Sequence, residues 1–277
     1  MTATPTSLLP IVFIGGGNMA TALITGLRKQ GVFAASIHVV EPLEAARQHL
    51  HDTLGVHAVA SADSSLSGAQ LVVWAIKPQL FKEVAQPIHA LFANALHLSV
   101  AAGIRSDSIA QWLGSQRVVR AMPNTPALVG LGQTGLFARD AVTPQERQAV
   151  GSLMQAVGAS VWVEQEAQLD AVTAVSGSGP AYVFYVIEAM VAAGVRMGLT
   201  PAQAHQLSVG TLVGASELAR ASSESPAVLR ERVTSKGGTT YAAITSMQAD
   251  GVAALIEKAM LAAAERAKTL GDELGTA

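Results

Sequence analysis

Two stretches of this 277-residue chain carry residue types at spacings that can do chemistry. The first is Ile14-Gly15-Gly16-Gly17-Asn18-Met19-Ala20, in which Gly15-x-Gly17-x-x-Ala20 fits a dinucleotide-binding turn. Gly15 allows the tight turn, Gly17 lets a pyrophosphate approach the backbone, and the small Ala20 lets a helix pack on the preceding strand. A helix starting here offers free N–H groups and a partial positive charge to phosphates. Glu41 ends the next strand pattern, His38-Val39-Val40, where a ribose-binding carboxylate belongs. The second stretch is Arg232-Val233-Thr234-Ser235-Lys236-Gly237-Gly238-Thr239-Thr240, placed just before a helical pattern. Hydroxyls and N–H groups at a helix start suit a carboxylate ligand. Taken alone, this second stretch reads slightly better as a capped turn between helices.

The elements that must position these residues follow from periodicity. Residues 11–14 form an apolar run expected of a parallel strand buried on both faces, and residues 21–28 resume with helical spacing. Further strands are expected at 71–76, 96–100 and 118–121, with a short return strand at 55–58 and a last strand at 160–163. Helices are expected at 43–54 and 87–95, and Thr143-Pro144-Gln145-Glu146 reads as a capped helix start. Alternating strands and helices imply a parallel sheet with crossovers, whose ligands bind beyond the carboxyl ends of the strands. Segments 15–20, 75–79, 100–103 and 122–126 should therefore converge on one cleft. From about Glu166 the pattern is helical throughout. Residues 181–197 are apolar nearly all round, which suggests a buried helix covered in part by a second subunit.

Composition narrows the classes. Half the residues are hydrophobic and 14% are charged, which describes a globular chain. A net charge of −2 gives no reason to expect nucleic acid or an anionic membrane as partner. Without cysteine there are no disulfides or thiolate sites, and the seven histidines fall in no metal-ligand spacing, so no metal is expected. Residues 1–10 lack a basic start and an apolar core of signal-peptide length, so a cytoplasmic protein is expected.

Five segments appear together in order: 15–20, Lys77-Pro78-Gln79, Arg120-Ala121-Met122-Pro123-Asn124-Thr125-Pro126, Ser176-Gly177-Ser178-Gly179-Pro180-Ala181-Tyr182 and Val233 to Thr240. This set closely resembles the pyrroline-5-carboxylate reductase family, from about residue 11 to 270. The resemblance implies an α/β fold: an N-terminal Rossmann-type doubly wound sheet over 1–165, then an all-α dimerisation domain over 166–277. It implies reduction of 1-pyrroline-5-carboxylate to L-proline by NADPH or NADH, with the subunits in an intertwined dimer that can assemble into a decamer. On the family pattern, Thr240 and Ser235 are catalytic, and Glu166, Gly237, Gly238 and Thr239 hold the substrate. The cofactor falls to Ile14 through Ala20, Glu41, Ala75, Ile76, Lys77, Pro78, Ala101, Ala102 and Asn124. Lys77 contributes through its backbone, and Asn124 as a rigid turn residue facing the nicotinamide. Many members have proline at Lys236, and some have asparagine at Arg232. At Glu41 many have serine, threonine or arginine, and a carboxylate there repels a 2′-phosphate, which points this member toward NADH. Two other readings are a related imine reductase or β-hydroxyacid dehydrogenase and a non-catalytic dinucleotide sensor. The hydroxyacid enzymes place a lysine in the helix that here spans 181–195, which has none. A sensor has no need of the 235–240 cradle.

Overall fold

A computed structural model describes residues 8–275; segment 1–7, part of the stretch read above as lacking signal-peptide features, lies outside them. Eight short strands build one sheet: β1 (Ile11–Ile14), β2 (Ile37–Val40), β3 (His57–Val59), β4 (Leu71–Trp74), β5 (Leu96–Ser99), β6 (Val118–Met122), β7 (Gly132–Ala138) and β8 (Gly158–Trp162). Their order is β3-β2-β1-β4-β5-β6-β7-β8. Every neighbouring pair is parallel except β6 and β7. The chain reverses its direction of travel across the sheet between β1 and β4, which opens a crevice at their carboxyl ends.

Apolar residues on both sides of each strand explain the double winding. Ile11 and Phe13 face a core with α1 (Asn18–Lys29), Leu50 of α2 (Glu44–Leu54) and α5 (Pro144–Met154). Val12, Ile14 and Trp74 face a second core with α3 (Phe81–Ile88) and α4 (Ser106–Leu113). Thr143 and Glu146 form the expected capping box at the start of α5.

Two elements depart from the sequence reading. The helix expected at 87–95 begins earlier, at Phe81, because Phe81 and Ala85 are the buried anchors. Pro87 lies in its last turn, and a 3-10 turn follows over His89–Phe92. Strand β7 has no counterpart among the expected strands. Its glycines break the apolar alternation, yet Gly135 is required by packing, since a Cβ there would lie 2.7 Å from Val172.

The chain divides into two compact units, one of residues up to 178 with those from 263 onward, the other of 179–262. The first unit includes α6 (Gln168–Val172), whereas the division expected at 165/166 precedes it. Its membership has a physical reason. Leu169 is buried, and Asp170 makes a bidentate ion pair with Arg105 at 3.0 and 3.1 Å.

The second unit is entirely helical: α7 (Gly179–Arg196), α8 (Pro201–Ala221), α9 (Pro226–Arg232), α10 (Thr239–Ala249) and the first half of α11 (Val252–Gly275). Thr200 and Gln203 cap α8 reciprocally, and Ser225 caps α9. Residues 181–197, expected to be an apolar helix covered in part by a second subunit, lie largely bare within one chain. Phe184 is 60% and Tyr185 75% exposed, and Gly194 is the only buried residue of α7. The reason is that this unit has no second apolar layer of its own to cover that face. By length and composition Gln168–Arg196 is able to cross a membrane, but a π turn divides it and Asp170 is tied to Arg105.

Candidate functional site: a glycine turn and a threonine-rich helix start

The carboxyl end of β1 leads straight into the glycine turn. Gly15 has φ +96°, and a Cβ there would lie 2.5 Å from the Ala75 carbonyl oxygen, so only glycine fits. This contact joins the turn to the Ala75-Ile76-Lys77-Pro78 segment after β4. Gly17 caps α1 with no side-chain bond, and a Cβ at Gly17 would meet nothing within 4 Å. Open space above unpartnered helix-start N–H groups is the arrangement a pyrophosphate needs. Ala20 is fully buried against the sheet. The residues present from Ile14 to Ala20 therefore fit the phosphates of a dinucleotide.

Glu41 directly follows β2 and is only 9% exposed. Its carboxylate accepts from the Gly16 N–H at 2.9 Å and the Leu43 N–H at 3.0 Å. Arg47 on α2 donates to the carbonyls of Glu41 and Pro42 at 2.9 and 2.7 Å. The end of β2 is thus clamped to the glycine turn.

The other expected cofactor residues lie at the same edge of the sheet. Lys77 is exposed and its backbone begins the turn Pro78–Leu80. Ala101 is buried and Ala102 exposed after β5. The turn Thr125–Val129 after β6 packs against α1. Asn124 is buried and wholly committed to structure: it donates to Ser176 and accepts from the Gln133 N–H at 2.9 Å.

Glu166 has a different neighbourhood from the one expected of a substrate ligand. Its carboxylate accepts from the Ser106 N–H at 2.6 Å, the Ser106 hydroxyl at 2.5 Å and Arg120 at 2.5 Å. Arg120 is 5% exposed on β6, and burial pushes its guanidinium below the usual value while Glu166 holds it up. Sequence reading passed over this network. The signal was present in Val118-Val119-Arg120-Ala121, where a charge inside an apolar strand demands a partner. A polar cleft of about 400 Å³ opens here, lined by Ser106, Asp107, Arg139 and Glu166. A larger groove of about 510 Å³ on β7 and β8 is apolar and holds none of the expected site residues.

The second chemical stretch lies in the helical unit. Gly237 has φ +78°, and the Gly238 N–H donates to the Ser235 carbonyl at 3.0 Å. Gly238 then caps α10 without a side chain, leaving the N–H groups of Thr239 and Thr240 without a cap. Ser235, Thr239 and Thr240 are all exposed. Small residues, a left-handed turn and a bare helix start make a ready anion cradle. Among the described residues no group of three or more histidine, aspartate or glutamate side chains is placed to hold a metal.

Comparison with known proteins agrees with both halves. The family model described as pyrroline-5-carboxylate reductase dimerisation matches residues 166–270. A model described as NADP oxidoreductase, coenzyme F420-dependent, matches residues 10–103. The pyrroline-5-carboxylate reductase of Pseudomonas aeruginosa is 46% identical over 96% of this chain and 98% of its own. That of Haemophilus influenzae is 42% identical over 94% of this chain and 97% of its own. Among solved structures, the Coxiella burnetii enzyme superposes with a TM-score of 0.90 at 38% identity, covering 95% of this chain and 98% of that one. A Plasmodium falciparum relative solved with NADP bound gives 0.84 at 26% identity, covering 96% and 99%. With a glycine turn fitted to a dinucleotide, an anion cradle at α10 and similarity along almost its whole length, the chain belongs to the pyrroline-5-carboxylate reductase family.

Proposed function

We propose that this chain reduces 1-pyrroline-5-carboxylate to L-proline, the last step of proline biosynthesis, with the glycine turn holding the cofactor and the start of α10 holding the substrate. Reduced nicotinamide, when bound, supplies the hydride that the C=N carbon accepts. Ser235 and the N–H groups around Gly237, Gly238 and Thr239 hold the substrate carboxylate, which fixes the ring in one orientation. The Thr240 hydroxyl hydrogen-bonds the ring nitrogen and relays the proton that nitrogen carries in the product. No covalent intermediate with the protein is needed. Asn124 and Lys77 shape the cofactor side through the backbone they hold, and Glu166 acts as an anchor between α6, α4 and β6. The subunits work as an intertwined dimer able to assemble into a decamer, in the cytoplasm, without nucleic acid or membrane as partner.

The bare N-terminus of α10, with two exposed threonines and a glycine cap, is the observation that carries the assignment. The test is oxidation of NADH and of NADPH with 1-pyrroline-5-carboxylate by wild type, Thr240→Ala and Thr240→Ser. Thr240→Ala should lower kcat about 100-fold while cofactor affinity stays unchanged, and Thr240→Ser should recover most of the loss. A kcat for Thr240→Ala within about twofold of wild type would remove the proton role. Tight cofactor binding by wild type without turnover would favour a dinucleotide sensor.

A further inference from the structure

We propose that Glu41 makes this chain selective for NADH, by fixing a carboxylate into the wall of the glycine turn where the adenosine ribose is read. The inference rests on the assignment of the glycine turn as the cofactor site. Its observation is geometric. Glu41 accepts from the Gly16 N–H at 2.9 Å and from the Leu43 N–H at 3.0 Å, so both carboxylate oxygens are pinned. The Glu41 side chain also packs on the turn, since its Cβ and Cγ lie 3.4 and 3.3 Å from where a Gly16 Cβ would be. An exposed glutamate can swing away from an incoming charge, but this one has no such freedom. Each pinned oxygen keeps a lone pair, enough to accept the 2′- and 3′-hydroxyls of a ribose. A 2′-phosphate, with its charge of about −1.5 to −2, would meet a fixed negative group that is itself only 9% exposed.

Arg47 is the cation beside this position, and it offers a competing reading in which it receives the phosphate. Its Nη1 is already engaged by the carbonyls of Glu41 and Pro42, which holds the guanidinium on the backbone that carries the carboxylate. Its role is then to shape the β2 end for either cofactor. A relative of this family was solved with NADP bound, so the preference proposed belongs to this chain's own β2 end.

The test is calorimetric titration of the full-length protein with NAD+ and NADP+, together with KM for NADH and NADPH. Glu41→Gln keeps an oxygen acceptor for the Gly16 N–H and removes the charge; because its NH2 then faces the Leu43 N–H, thermal unfolding of the variant is measured alongside to separate misfolding from lost charge. Wild type should bind NAD+ about tenfold or more tightly than NADP+, and Glu41→Gln should narrow that ratio at least about fivefold through tighter NADP+ binding. Arg47→Ala should weaken both dinucleotides to a similar degree. An NADP+ preference in wild type, or an unchanged ratio in a folded Glu41→Gln, would overturn the proposal, as would selective loss of NADP+ binding in Arg47→Ala. Because binding is read without substrate, a failure here is separate from a failure of the reductase assignment.

Discussion

His97 sits on β5 with its ring fully enclosed, accepting at Nδ1 from the Trp74 indole at 3.2 Å. Burial, with the Arg117 charge adding to it, lowers its pKa from the ordinary 6.5 to about 4. The unfolded chain therefore takes up this proton near pH 6.5, while the folded chain resists it until about pH 4. Stability from the neutral ring is complete above pH 6.5 and declines as the pH falls toward 4, by roughly 3 kcal/mol at the low end. Denaturant unfolding of wild type and His97→Gln between pH 7 and pH 4 should show a shallower acid decline in the variant. Parallel curves would mean that the buried ring is not what senses acid. Nothing in the periodicity of Leu96-His97-Leu98-Ser99 marks this histidine as buried, because the pattern records which residues are apolar and not which neighbours enclose them.

At the scale of elements, α6 shows how polar contacts decide which unit a helix joins. It is only five residues long, and its attachment rests on Leu169, the Asp170–Arg105 pair and the adjoining Glu166–Arg120 pair. Glu166→Ala would leave Arg120 buried without its carboxylate. Removing one member of a buried pair is expected to cost about 3–5 kcal/mol. Thermal unfolding should show a midpoint lower by roughly 6–20 °C, and a shift under about 2 °C would mean that Glu166 is not an anchor. Strands β1, β2 and β4 to β6 were legible because apolar runs broken by glycine or proline announce them. Strand β7 was not, because Gly132 and Gly135 answer to close neighbours, Val157 and Val172, that lie distant in sequence.

For the whole molecule, the apolar face of α7 is the outstanding fact. Val183, Phe184, Tyr185 and Val186 are all more than 40% exposed in the single chain, within the region matched by the family's dimerisation model. Exposure on this scale marks a surface meant to be covered. Phe184→Asp should place an unpaired charge in that interface and shift sedimentation toward monomer at micromolar concentration. A dimer or larger species of unchanged stability in the variant would show that α7 is not the contact.

By itself the sequence determined the glycine turn, the capped start of α5, the alternation that builds a doubly wound sheet and the all-helical second half. These depend on residues close together along the chain, where spacing alone expresses backbone geometry and periodicity. Only the tertiary structure decided that Glu41 is pinned to Gly16, that Glu166 is committed to Arg120 and Ser106, that α6 joins the sheet unit and how much of α7 one chain leaves bare. Each of those is a matter of which distant groups satisfy a charge, or fail to cover an apolar face. Such partners are chosen by the folded arrangement and leave no local spacing to read.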